Sequence, residues 1–87
     1  MAIIFTESAR KHNLTEADAI HAIMHHRWHV KDFTTPDYPD PANLYIGVSP
    51  AGQLVEVLVH PRMPRDLVIF HLMPLRKKTL QAALDDQ

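Results

Sequence analysis

The sequence contains no cysteine, which excludes disulfides, thiol nucleophiles and zinc-ribbon ligand sets. Glycine is nearly as scarce. With two glycines in 87 residues, neither a G-x-x-x-x-G-K phosphate loop nor a G-x-G-x-x-G dinucleotide turn is possible. A G-x-S-x-G nucleophile elbow is absent as well. No apolar run approaches the roughly 20 residues that span a bilayer, and the N-terminus has no basic-then-apolar leader. A cytoplasmic protein without membrane attachment is the expectation. A surplus of either charge is also missing. Nine Lys+Arg against ten Asp+Glu give a net charge of −1 with neutral histidines, a poor balance for non-specific nucleic-acid binding, which relies on many cation–phosphate contacts. Glu7 and Glu16 are isolated and Glu56 has no evident carboxylate partner, so a two-carboxylate hydrolase is unsupported.

What remains is an ordinary globular composition, 46% apolar and 22% charged, in a chain long enough for one domain. A chain this short buries only about 60–65% of its unfolded surface, so its core is thin and a homodimer or heteromer would supplement it. Seven histidines are many for this length, and the net charge will rise steeply as pH falls through about 6.5.

Hydropathy patterning predicts an α+β fold with two N-terminal helices, a four-stranded, mostly antiparallel sheet and a C-terminal helix. Thr6 is a candidate N-cap for a short helix from Glu7 to His12, with Asn13 as its stop. Thr15-Glu16-Ala17-Asp18 has the form of a capping box. It opens a second helix to about His26, with Ala19, Ile20, Ile23 and Met24 at helical spacing. Trp28 to Phe33 alternates as a strand, with Trp28, Val30 and Asp32 on one side and His29, Lys31 and Phe33 on the other. Pro36, Pro39 and Pro41 make 34–43 a loop. Leu44 to Val48 is a strand, Ser49-Pro50-Ala51-Gly52 a turn, and Gln53 to His60 a strand with period two. Pro61 to Asp66 is a second loop. Leu67 to Met73 is an apolar strand, with His71 sharing a side with Leu67, Ile69 and Met73. Pro74 is placed to open a final helix running to about Leu84. Helices are expected on one sheet face, leaving the other partly open.

Four clusters carry possible chemistry. Arg76-Lys77-Lys78 falls where strand should pass into helix. Three cations there oppose the positive end of the helix dipole, and with helix N–H groups they form an anion site suited to phosphate. The plain alternative is a solvated helix start. Arg10-Lys11-His12 lies near a helix C-terminus, where cations are favourable in any case. His71 is either a packed core histidine or, on an open sheet face, an acid or base for a substrate. His21 and His25 are four apart on one helix face, and His26 and His29 follow, but no third ligand stands at a fixed spacing. No metal and no cofactor is expected.

Several segments together resemble the BrnT-like toxins of bacterial type II toxin–antitoxin systems, within the wider RelE/ParE-like group. They are Ala9-Arg10-Lys11-His12-Asn13-Leu14, Ile46-Gly47, Gly52-Gln53-Leu54, Val68-Ile69 and His71-Leu72-Met73-Pro74-Leu75-Arg76-Lys77. The resemblance covers residues 5 to 80. It implies a small metal-independent ribonuclease that arrests translation, free or at the ribosome, and is neutralised by a ribbon-helix-helix antitoxin. By position, Lys11, His12, Arg76 and Lys77 are the functional residues it implies. Cleavage by 2′-hydroxyl attack suits the residues present. Arg and Lys can stabilise the phosphorane charge, and His12 or His71 can move protons. Arg10, Lys78 and Tyr45 are candidate RNA contacts, with Trp28, Tyr38 and Tyr45 as stacking groups. The competing reading is a catalytically inactive toxin fold kept for protein–protein interaction, with Leu54 and Leu58, flanked by Glu56 and His60, as its apolar sheet face.

Overall fold

A computed structural model describes residues 2–36, 39–62 and 66–86, at Pro61 and Arg62 by the backbone alone. Tyr38, a candidate stacking group, and residues 63–65 of the second loop lie outside the described residues. The elements run β1 (Ala2–Phe5), a 3-10 turn (Glu7–Arg10), α1 (Glu16–Met24), β2 (His26–Phe33), β3 (Ala42–Val48), β4 (Leu54–Arg62), β5 (Asp66–Pro74) and α2 (Lys77–Asp85). The fold is α+β, but its sheet has five strands in the order β1-β5-β4-β3-β2. β1 is parallel to β5 and the other pairings are antiparallel. The expected four-stranded sheet with two N-terminal helices is therefore corrected at both points.

The correction has local causes. Ala2-Ile3-Ile4-Phe5 is short and apolar, and its β-branched residues suit an extended backbone. It pairs with Asp66–Ile69. The stretch expected to be the first helix is held to a single 3-10 turn by the sheet beside it. The Thr6 N–H donates to Ile69 O, and Ser8 Oγ donates to Phe70 O at 2.6 Å. Thr6 makes no side-chain cap; its hydroxyl meets Ser8 Oγ instead. Asn13 then stops the turn with φ +58, a left-handed conformation that Asn tolerates.

α1 starts as expected. Asp18 N–H donates to Thr15 Oγ1, and Thr15 N–H donates to Asp18 Oδ2, a reciprocal capping box. The helix ends earlier than expected, at Met24, and His26 already belongs to β2. Ala19 and Ala22 are fully buried against the sheet. At Gly47 the two elements come so close that a Cβ would lie 2.1 Å from Ala22 O.

The sheet is covered on both faces, which corrects the expectation of one open face. On one side Phe5, Ala9, Ala19 and Ala22 pack on Val55, Val57, Val59, Ile69 and Leu72. On the other, Ala83 of α2 joins Val30, Leu44, Ile46 and Leu58, with Trp28, Phe33 and Leu80 packed alongside. Two bulges decide which residues reach that second core. In β2 the register shifts between Val30 and Phe33, and Asp32 has φ +55. Phe33 therefore joins Trp28 and Val30 instead of opposing them. In β5 the shift falls opposite Leu58/Val59, where Leu58 pairs with His71 and Val59 with Ile69. His71 is thus turned away from Ile69 and Leu67 and toward α2. Among the described residues no helix is long and apolar enough to cross a membrane.

Candidate functional site

The polar centre of the molecule is Glu56 in β4. It is 1% exposed, and a buried carboxylate is costly unless paired and hydrogen-bonded. Its partners arrive from two later elements. His71 Nε2 lies 2.8 Å from Oε1. Arg76 donates to Oε1 from Nε at 3.1 Å and from Nη2 at 2.7 Å, and its backbone N–H donates to Oε2 at 3.0 Å. The buried Thr79 hydroxyl completes the set. Burial alone would raise the Glu56 pKa. The bonds from His71, Arg76 and Thr79 outweigh it and hold the group at about 2. An ionised carboxylate can only accept, so the His71 nitrogen facing it carries the proton.

This cluster explains the cations at the start of α2. Pro74 ends β5 rather than opening the helix, and Arg76 is the N-cap. The first turn contains no acidic residue of its own. Glu56, twenty positions earlier, supplies the negative charge that the positive helix end favours. Part of the anion site read from Arg76-Lys77-Lys78 is therefore filled by the protein's own carboxylate. No buried side-chain polar atom among the described residues is left without a partner.

A groove of about 480 Å³ opens beside the cluster, between α2, β3, β4 and the chain leaving β2. Phe33, Leu44, Leu58 and Ala82 form an apolar wall, while Thr34, Thr35, Arg76 and Lys78 bring polar groups. The Arg76 side chain is 33% exposed, so one part of the guanidinium serves Glu56 and another reaches solvent. With Glu56 neutralised by Arg76, Lys78 leaves the groove with a positive excess.

The remaining sequence-derived residues do not converge here. Lys11 and His12 are exposed just past the 3-10 turn, whose Ala9 is buried in the core on the α1 face. His71 and Arg76 meet on the α2 face. Arg10 is engaged locally, with its guanidinium 5.0 Å from the Phe5 ring and a bond to Phe5 O. Lys77 is exposed on the first turn of α2. Tyr45 stacks on His29 at 4.3 Å on the α1 face. The histidines form ring pairs, His21 with His25 and His26 with His29, and no three metal-ligating side chains gather among the described residues. Of the apolar sheet face expected around Leu54 and Leu58, Leu54 is exposed while Leu58 and Glu56 are buried beneath α2.

Glu56 was missed as a functional residue because its partners lie 15 and 20 positions away. A signal did exist. Glu56 and His71 are polar residues flanked on both sides by apolar ones in two successive strands, and adjacent strands would let them pair. No family model, curated protein or solved structure matches the chain.

Proposed function

We propose that this chain is a toxin-type protein of the BrnT-like kind that engages RNA at the groove beside α2, cleaves it by 2′-hydroxyl attack, and acts in the cytoplasm under the control of a ribbon-helix-helix antitoxin. The observation that carries this reading is an arginine at the groove, fixed from behind by a buried carboxylate. A guanidinium offers five N–H donors in a rigid fork. Those not bound to Glu56 suit two oxygens of one phosphate, and Lys78 adds charge beside them. Because Arg76 is already oriented, little side-chain freedom is lost on binding. In the reaction the 2′-oxygen attacks phosphorus as its proton is removed, and the 5′-oxygen leaves as it gains one. Arg76 would stabilise the negative charge that builds on the non-bridging phosphoryl oxygens.

A second reading has its own support. His71 is 6% exposed and sits behind Glu56, and Lys11 and His12 belong to the opposite face. That arrangement suits a binding module without acid–base chemistry. Induced expression in a bacterial host separates the two, comparing wild type with Arg76→Ala at matched soluble levels and following growth and RNA integrity. The toxin reading expects arrest and RNA loss by wild type, both relieved in Arg76→Ala. Arrest that is unchanged in Arg76→Ala would remove the groove from the mechanism. Folded wild type that leaves growth and RNA intact would favour the binding module.

A further inference from the structure

We infer that the ring cluster His26–Tyr45–His29 on the α1 face is a second nucleic-acid contact, a platform on which bases of a single-stranded RNA stack. This rests on the RNA reading above but not on the groove. His29 and Tyr45 are cross-strand partners in β2 and β3. Their rings are stacked 4.3 Å apart and tilted by only 7°. His26 stands edge-on to both, 5.3 Å from Tyr45 and 5.7 Å from His29. Tyr45 is half-buried and packs on the core below, which fixes the array. His26 and His29 are exposed. Lys31 is near enough to act on the charge of His29.

Two arguments favour a base as the occupant. A cross-strand aromatic pair steadies a sheet by itself, and here a third exposed ring, His26, is added and held in place by its Nδ1 against Ile23 O at 2.8 Å. In addition, a chain with a net charge of −1 is poorly balanced for holding RNA through many cation–phosphate contacts. Stacking on π-faces is the contribution that needs no charge and tolerates any sequence. Lys31 is placed to meet the backbone phosphate beside a stacked base. The platform and the groove both adjoin β2, on opposite faces, so one strand passing over the β2 edge would reach both.

The test is fluorescence anisotropy with a labelled 2′-O-methyl RNA of about eight nucleotides, within the usual span of such sites. This probe cannot be cut by 2′-hydroxyl attack. His29→Ala should weaken binding about tenfold and His29→Phe should restore it, since the ring and not the charge is needed. The salt dependence should be shallow, as expected for few phosphate contacts. Ring-proton NMR signals of His26 and His29 should move on addition of the oligomer. Equal loss in His29→Ala and His29→Phe would overturn stacking. Equal affinity for the duplex form would do the same, and tighter binding of the matching DNA would overturn RNA as the occupant. Loss in Arg76→Ala with none in His29→Ala would overturn the platform and spare the groove. Loss in His29→Ala alone would do the reverse.

Discussion

Glu56 Oε1 lies 2.8 Å from His71 Nε2 and 2.7 Å from Arg76 Nη2. One buried oxygen therefore ties the middle of the sheet to the start of the last helix. Removing its charge leaves the Arg76 guanidinium without its counter-ion. Glu56→Gln should destabilise the fold by about 3 kcal/mol, the lower end for breaking a buried pair, because Arg76 can still turn to water. Urea unfolding of both proteins measures this, and a loss below about 1 kcal/mol would mean that the cluster acts like a surface ion pair.

The same group sets an acid dependence. Its folded pKa of about 2 is below the ordinary carboxylate value of 4.5. The unfolded chain therefore binds the proton more readily, and stability falls as the medium becomes more acidic. This contribution is complete above pH 4.5 and is lost progressively toward pH 2. The stability gap between wild type and Glu56→Gln should stay constant from pH 7 to about 5 and then close. A gap that closes near neutral pH would refute the assignment.

At Gly47 a single methyl is enough to move a helix. A Cβ there would stand 2.1 Å from the Ala22 carbonyl oxygen and 2.9 Å from its carbon, and backbone cannot swing aside as a long side chain can. Gly47→Ala should cost about 1–3 kcal/mol, as overpacking does. Gly52→Ala meets open space but forces φ +85 on a side chain, so its cost is conformational and about 1 kcal/mol. Thermal unfolding of the pair ranks the two effects.

His29 should titrate below 6.5. Its ring is exposed on one side, and partial desolvation on the other lowers its pKa first, followed by the charges of His26 and Lys31. The charged form is disfavoured in the fold, so this residue costs stability as pH falls below 6.5 and costs nothing above it. In NMR titrations His26→Gln or Lys31→Gln should raise the His29 midpoint without returning it to 6.5, because the partial desolvation remains. A midpoint above 6.5 in wild type would contradict the arrangement.

Local chemistry was the legible part of this fold. The Thr15–Asp18 capping box, the Ser49–Gly52 turn and the shared face of Val55, Val57 and Val59 follow from neighbours within a few positions, and all are present. The rest depended on partners distant in the chain. β1 is four residues long, too short to show a period, and its partner begins at Asp66. Both bulges, at Asp32 and opposite Leu58/Val59, break the alternation that assigns strand faces, which is why Phe33 and His71 were placed on the wrong side. The site shared this fate. Arg76 was visible as a misplaced cation, while the carboxylate that justifies it was visible only as an isolated acid.

The pairing of β1 with β5 also orders events during synthesis. Ala2–Phe5 leaves the ribosome well before its partner residues Asp66–Ile69. Ile3 and Ile4 stay partly exposed even in the finished fold. A nascent chain therefore carries an unpaired apolar strand until those residues emerge, and the sheet gains that edge only then.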